Sequence, residues 1–421
     1  MSSRTQIAIQ IVLTCLLVVV ALVVGLSMKF FVIAILGEFF ALGLASTVIV
    51  HFRVRPSRED ALFVLLFAAL LAVIVFWTLE LALNFKVAMA IVGLASLTVL
   101  GIRVVWARGE ERALLWWAYL PALLFVGALW LAPPLLDLTQ TILPKTLDLY
   151  LYSFDCSLHI QPSFLVGQLF WKLPWLKTIS IYFYLSLSVI IALTYVESLL
   201  QQGKKALPVF LALLYLGPIG WIFYNFFPAT GPVHLFPATF PLHPLSIAEA
   251  MRLSLHPVVV ESARNAIPSL HMSWVLLAWW YAKKFSPWAK VVSLAFVIFT
   301  VLATLGTGEH YFVDLVVAWP FTLMIYSLFC FALPWNNKER ATGFLGGLLG
   351  VFLWFALLRC ANPMFWISPL IPWSFVVATI TLAQAQKNRI LAAASVPARA
   401  PAERAASARP AVDDAVSVAG D

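Results

Sequence analysis

Two short stretches hold most of the groups in this chain that could do chemistry. One reads Arg264-Asn265-Ala266-Ile267-Pro268-Ser269-Leu270-His271, the other Gly306-Thr307-Gly308-Glu309-His310-Tyr311-Phe312-Val313-Asp314. Two histidines, an aspartate and an arginine gather there, in a protein of which only 11% is charged. His310 and Asp314 are four apart, so on a helix they share a face within hydrogen-bonding reach. A carboxylate in that position fixes an imidazole's tautomer and steadies its protonated or phosphorylated form. His271 follows Pro268 by three residues, and proline suits the first turn of a helix. Two helix starts, with free amides and positive dipole ends, would together favour a bound phosphate. Alone, either histidine reads equally as an interfacial helix cap. Together with Pro268-Ser269 and Asp314 they point to a catalytic pair.

The elements that must position these groups are apolar. The 421 residues are 62% hydrophobic and the mean hydropathy is +0.95, which excludes an ordinary soluble globular protein. Apolar runs near 20 residues recur from end to end, each able to cross a hydrocarbon core of about 30 Å. The expected fold class is therefore all-α, a polytopic integral membrane bundle of about 12 transmembrane helices. The predicted spans are 6–27, 30–51, 60–82, 86–106, 113–135, 178–198, 206–226, 267–284, 288–306, 310–333, 341–359 and 366–384. With both termini in the cytoplasm, most of the 27 Lys and Arg residues fall on that side, as the positive-inside rule requires. The net charge of +8 is scattered between apolar runs, so it marks topology and no nucleic-acid partner is expected. Both histidine motifs then open on the non-cytoplasmic face of an inner or plasma membrane.

The chain divides by composition. Residues 1–112 are expected to form an N-terminal transmembrane helical module, 113–335 a catalytic domain and 336–390 further transmembrane helices. Residues 391–421, rich in Ala, Pro, Ser and Arg, read as a disordered cytoplasmic tail. The outside segment 137–177 mixes acids and aromatics and is expected to include helix lying on the membrane surface. The other, 227–266, carries His234, His243 and His256, with Phe236, Phe240 and Leu242 available to cover a pocket. No helical i, i+4 spacing links those histidines, and the four cysteines lack metal-ligand spacing. Neither a metal nor a cofactor is expected.

Pro268-Ser269-Leu270-His271 and His310-x-x-x-Asp314 resemble the second and third signature motifs of the type-2 phosphatidic acid phosphatase and haloperoxidase superfamily. The extended forms look most like its inositol phosphorylceramide synthase branch. Phe227-Pro-Ala-Thr-Gly-Pro232 is similar to what that branch carries at the first-motif position. The resemblance covers roughly residues 137–333 and implies a six-helix catalytic core. It implies that His310 is the nucleophile, that Asp314 orients it, that His271 protonates the leaving group, and that Ser269 binds phosphate oxygens without a metal.

The chain departs from the pattern at the phosphate clamps. No Lys or Arg occurs between Lys205 and Arg252, where the phosphatases carry Lys-x6-Arg-Pro. Ala303 and Thr304 stand where they carry Ser-Arg. Arg264 is the leading substitute, followed by Arg252 and His234. The expected function is a membrane lipid phosphotransferase, with a lipid phosphate or phosphodiester as substrate and an alcohol as candidate acceptor. Hydrolysis of a lipid phosphate or polyprenyl diphosphate is the alternative among enzymes. A twelve-helix transporter is the alternative of another class; internal repeats, which it should show, are not evident.

Overall fold

The computed structural model describes residues 38–79, 85–282, 285 and 287–395. The span expected at 6–27, the start of the next and most of the expected tail lie outside them. The N-terminal part is built of α1 (Glu38–Arg53), α2 (Arg58–Leu79), α3 (Phe85–Trp106) and α4 (Gly109–Ile142). A two-residue strand, β1 (Lys145–Thr146), leads into α5 (Asp148–Ser157), α6 (Pro162–Lys172), α7 (Pro174–Leu185), α8 (Leu187–Gln202) and α9 (Leu207–Tyr224). After α9 come short α10 (Pro232–Leu235), α11 (Ile247–Met251) and β2 (Val258–Val259), which pairs antiparallel with β1. The chain continues as α12 (Leu270–Ala282), α13 (Pro287–Gly306), α14 (Phe312–Leu328), α15 (Lys338–Cys360) and α16 (Leu370–Ser395). Apart from that ladder, the regular structure of the described residues is helical.

Five stretches among the described residues are helical, long and apolar enough to cross a membrane: Arg58–Trp77, Val87–Trp106, Leu187–Tyr224, Pro287–Gly306 and Lys338–Cys360. This is fewer than the twelve spans expected. The stretch Leu187–Tyr224 is two helices, α8 and α9, folded back at the Gly203–Ala206 turn so that Tyr195 packs on Phe210. The span expected at 178–198 is divided at Ser186 between α7 and α8. Two expected spans are short helices: α12 has 13 residues and α14 has 17. At 1.5 Å per residue α14 is roughly 26 Å long, less than a hydrocarbon core of about 30 Å.

Helix α14 lies at the centre. Every residue from Val313 to Ser327 is buried except Trp319, which explains why its apolar residues run all the way round instead of forming a stripe. Helix α15 comes close because Gly343, Gly347 and Gly350 face it. A Cβ on Gly347 would stand 2.6 Å from the Met324 nitrogen and the Pro320 oxygen, the close approach that small residues allow between apolar helices. Arg340, at the start of α15, donates to the carbonyls of Ser327, Leu328 and Leu333. A cation thereby sits at the negative end of α14. On the other side, Thr47 of α1 donates to the Gly93 carbonyl of α3, and Arg53 pairs with Glu197 of α8. These contacts join the N-terminal helices to the rest.

Candidate active site

The loop Thr307–Tyr311 joins α13 to α14 and is held at both faces. The His310 amide donates to the Thr304 carbonyl at 3.2 Å, and the Ser163 hydroxyl donates to the His310 carbonyl at 2.8 Å. Tyr311 is extended (φ −78°, ψ 159°) and the helix starts at Phe312. His310 therefore precedes the helix instead of sitting on its face. It still meets Asp314, whose Oδ2 accepts the Tyr311 amide at 2.8 Å and lies 3.4 Å from His310 Nδ1. The contact comes from a carboxylate folded back over a helix N-terminus, as in a capping box.

The two motifs meet through Ser269. Its Oγ lies 3.3 Å from His310 Nε2 and accepts the Met272 amide, while its own amide donates to the Asp314 carbonyl at 3.2 Å. Helix α12 begins at Leu270, so Pro268 stands just outside it and His271 lies in its first turn. The rings of His271 and His310 are 6.3 Å apart, inclined at 67°. Tyr184, at the end of α7, stacks on His271 at 4.2 Å and 25°.

Behind the histidines, α5 supplies two carboxylates from one face, seven residues apart. Asp155 accepts the Phe312 amide at 2.7 Å and the Val313 amide at 3.2 Å. Asp148 accepts from the amides of Thr230 and Gly231, from the Thr230 hydroxyl, and from the Tyr311 hydroxyl at 3.1 Å. Nine of the ten residues of α5 are buried. This part of segment 137–177 is thus interior and not the surface helix expected, because its acids serve internal partners. Burial pushes the Asp155 carboxyl well above the usual carboxylate range; the Phe312 amide opposes this, Asp314 adds to it, and the Val313 amide opposes it. The free amides expected at the start of α14 are occupied: those of Phe312 and Val313 by Asp155, that of Tyr311 by Asp314.

A strap closes the site from the first-motif position. Gly231 has φ 140°, and a Cβ there would stand 2.5 Å from the Glu309 carbonyl oxygen, so only glycine suits it. The Val233 amide donates to the Gly308 carbonyl at 3.0 Å. His234 Nε2 lies 3.5 Å from Glu309 Oε2. Burial raises the Glu309 carboxyl, yet the hydrogen bond and charge of His234, with His310 behind, hold it below its ordinary value. Phe236 packs on Tyr152 and Phe240 on Phe164, at 4.6 and 5.0 Å between centroids, while Leu242 is exposed.

The structure thus brings together His310, Asp314, His271 and Ser269, with His234 beside them through Glu309. Arg264 has a different role from the one expected. Its guanidinium donates to the backbone carbonyls of Leu143, Pro144, Val260 and Ser262. Four carbonyls that lack helical partners hold it as a brace between two loops, which corrects its reading as a phosphate clamp. Arg252 is exposed at the end of α11. Sequence reasoning missed Asp148, Asp155, Ser163, Tyr184 and Tyr311. The visible signal was two acids seven apart in a largely apolar run. Among the described residues, no group of three His, Cys, Asp or Glu could hold a metal ion.

Residues 149–328 match the family model described as the PAP2 superfamily. The matched stretch includes Ser269, His271, His310 and Asp314, and is similar to that superfamily without separating its branches. No match was found among the curated proteins or the solved structures.

Proposed function

We propose that the protein is a membrane lipid phosphotransferase acting on a phosphodiester at the non-cytoplasmic face through a phosphohistidine on His310. The observation that carries this reading is the pair of imidazoles 6.3 Å apart, one backed by a carboxylate at 3.4 Å. With its Nδ1 proton turned to Asp314, His310 presents the Nε2 lone pair toward Ser269 and the gap between the rings. A phosphoryl group entering that gap meets Nε2 on one side and the His271 ring on the other. The Nε2–P bond forms as the P–O bond to the leaving alcohol breaks, and His271 supplies that alcohol's proton. In the second half, His271 takes the acceptor's proton while the acceptor oxygen displaces Nε2. The match to the PAP2 superfamily supports phosphatase or phosphotransferase chemistry on lipid phosphates. The distribution of basic residues supports the outer face.

The preference for a diester rests on charge. Arg264 is occupied by carbonyls, and the first amides of α14 are occupied by Asp155 and Asp314. A terminal phosphate dianion needs preorganised donors of this kind; a diester carries less charge and needs fewer. The strap and its aromatic packing beside the loop suit exclusion of water until an acceptor arrives. The likeness of the extended motifs to inositol phosphorylceramide synthases points the same way, by analogy. The test supplies purified protein with a lipid phosphodiester, with and without inositol, glycerol, sugars and lipid alcohols. Transferred product should exceed hydrolysed product with at least one acceptor. Water as sole acceptor, with fast turnover of monophosphates, would make the protein a lipid phosphatase.

A further inference from the structure

We propose that Asp155 is a positioning residue for His310, its carboxylate built into the N-terminus of α14 where a free anion would otherwise bind. A helix start leaves its first amides without partners and carries partial positive charge. Here the partner comes from 157 residues away, on α5, and reaches Phe312 and Val313 with one oxygen each. Those amides follow His310 by two and three residues. The same short stretch is fixed upstream by Ser163 on the His310 carbonyl, and within by Asp314 on the Tyr311 amide. Three separate side chains therefore define the backbone from His310 to Val313, and Asp155 is the one holding its junction with the helix. The neighbouring Asp148 fixes the facing strap through Thr230 and Gly231 and reaches the Tyr311 hydroxyl. Helix α5 thus sets both walls of the site from behind. A small recess lined by Gln161, Ser163, Phe164, Pro232 and Tyr311 adjoins the Asp155 side chain.

The consequence for catalysis, which rests on the proposed function, is that His310 meets phosphorus at the right distance only while this junction is held. A displacement of about 1 Å at a reacting group can cost 10²-fold in rate. Asp155 touches neither substrate nor the imidazole, so its effect should fall on kcat and not on KM.

The test is chemical rescue. Asp155→Ala removes the volume of a carboxylate, which formate matches. Amide hydrogen exchange is followed in a peptide covering residues 305–316, together with the rate at which diethyl pyrocarbonate modifies His310. Both should rise at least tenfold in the alanine variant, return toward wild type with formate but not with chloride, and stay unmoved by formate in wild type. Turnover should fall on the order of 10²-fold with KM within about threefold, and recover at least tenfold with formate. Should the alanine variant not fold, Asp155→Asn keeps the shape but turns an NH₂ against one amide, and should show the same kcat loss at near-normal melting temperature. Unchanged exchange in the variant would overturn the proposal. So would exchange that formate restores while His310 reactivity and kcat do not follow, since Asp155 would then be a structural cap only. If wild type turns over no lipid phosphoester, the proposed function falls, and the exchange and modification rates still decide the role of Asp155.

Discussion

His310 Nε2 faces the hydroxyl of Ser269 at 3.3 Å, while its Nδ1 faces Asp314 at 3.4 Å. One imidazole thus lies between the two motifs, its Nε2 beside the motif that opens α12 and its Nδ1 beside the carboxylate of its own motif. The hydroxyl occupies the direction from which a phosphoryl group must be attacked. It therefore has to yield its place, or become a phosphate ligand, when substrate enters.

The first prediction follows from that arrangement. His310→Asn should abolish turnover, and His271→Asn should lower it by about 10²–10⁴-fold, less on substrates with good leaving groups. Asp314→Asn should fall in the same range by releasing the tautomer of His310. Vanadate, which mimics five-coordinate phosphorus, should inhibit wild type, and a chelator should not. Steady-state rates on a lipid phosphodiester measure all five, and a loss below tenfold at either histidine would count against the phosphohistidine scheme.

Arg264 should behave as a brace. Each buried carbonyl left unpaired costs about 1–3 kcal/mol, so Arg264→Ala should reduce folded yield and lower the melting temperature strongly. Arg264→Lys should recover little, because an ammonium cannot reproduce the planar fork. The protein that does fold should keep the wild-type KM for lipid. A large rise in KM at unchanged melting temperature would return Arg264 to the phosphate.

How much of this was legible in the sequence depends on how far apart the partners lie along the chain. Asp314 and His310 are four residues apart, so their approach follows from local spacing, whereas Ser269 meets His310 across 41 residues. Asp155 meets Phe312 across 157 residues and Asp148 meets Tyr311 across 163, and no periodicity encodes such pairings. Arg264 was misread because an arginine beside a histidine motif looks the same whether it faces phosphate or the Leu143 and Val260 carbonyls. Fewer than twelve stretches of the described residues are helical, long and apolar enough to span, and apolar content alone does not tell helices that face lipid from helices such as α14 that are sheathed in protein. The break at Ser186 leaves no proline or glycine to announce it.

The pair His234–Glu309 gives a pH dependence. Glu309 is held below its ordinary value, and a depressed carboxyl adds stability that is present above the unfolded value, about pH 4.3, and lost as pH falls through the folded one. The melting temperature of wild type should therefore exceed that of His234→Gln at pH 6, and the gap should shrink toward pH 3. A gap that stays level over that range would remove the ion pair as its cause.

The orientation can be read by labelling. Cysteine placed at exposed His243 should react with a membrane-impermeant thiol reagent in intact cells, and cysteine at exposed Lys205 only after lysis. Mass spectrometry of the labelled peptides separates these positions from the exposed native Cys360. The reverse pattern would put the histidines on the cytoplasmic leaflet.

The arginine that closes α14 carries a consequence for how two helices depend on each other. Arg340 lies beyond every residue of the histidine site, yet it donates to the Ser327, Leu328 and Leu333 carbonyls. Without Arg340 the Ser327 carbonyl keeps the Cys330 amide, but the Leu328 and Leu333 carbonyls lose their side-chain donor in an apolar surround, where that is costly. The C-terminal end of α14 is thus completed by a side chain of α15, and the two helices are stabilised as a pair, at the end opposite His310 and Asp314.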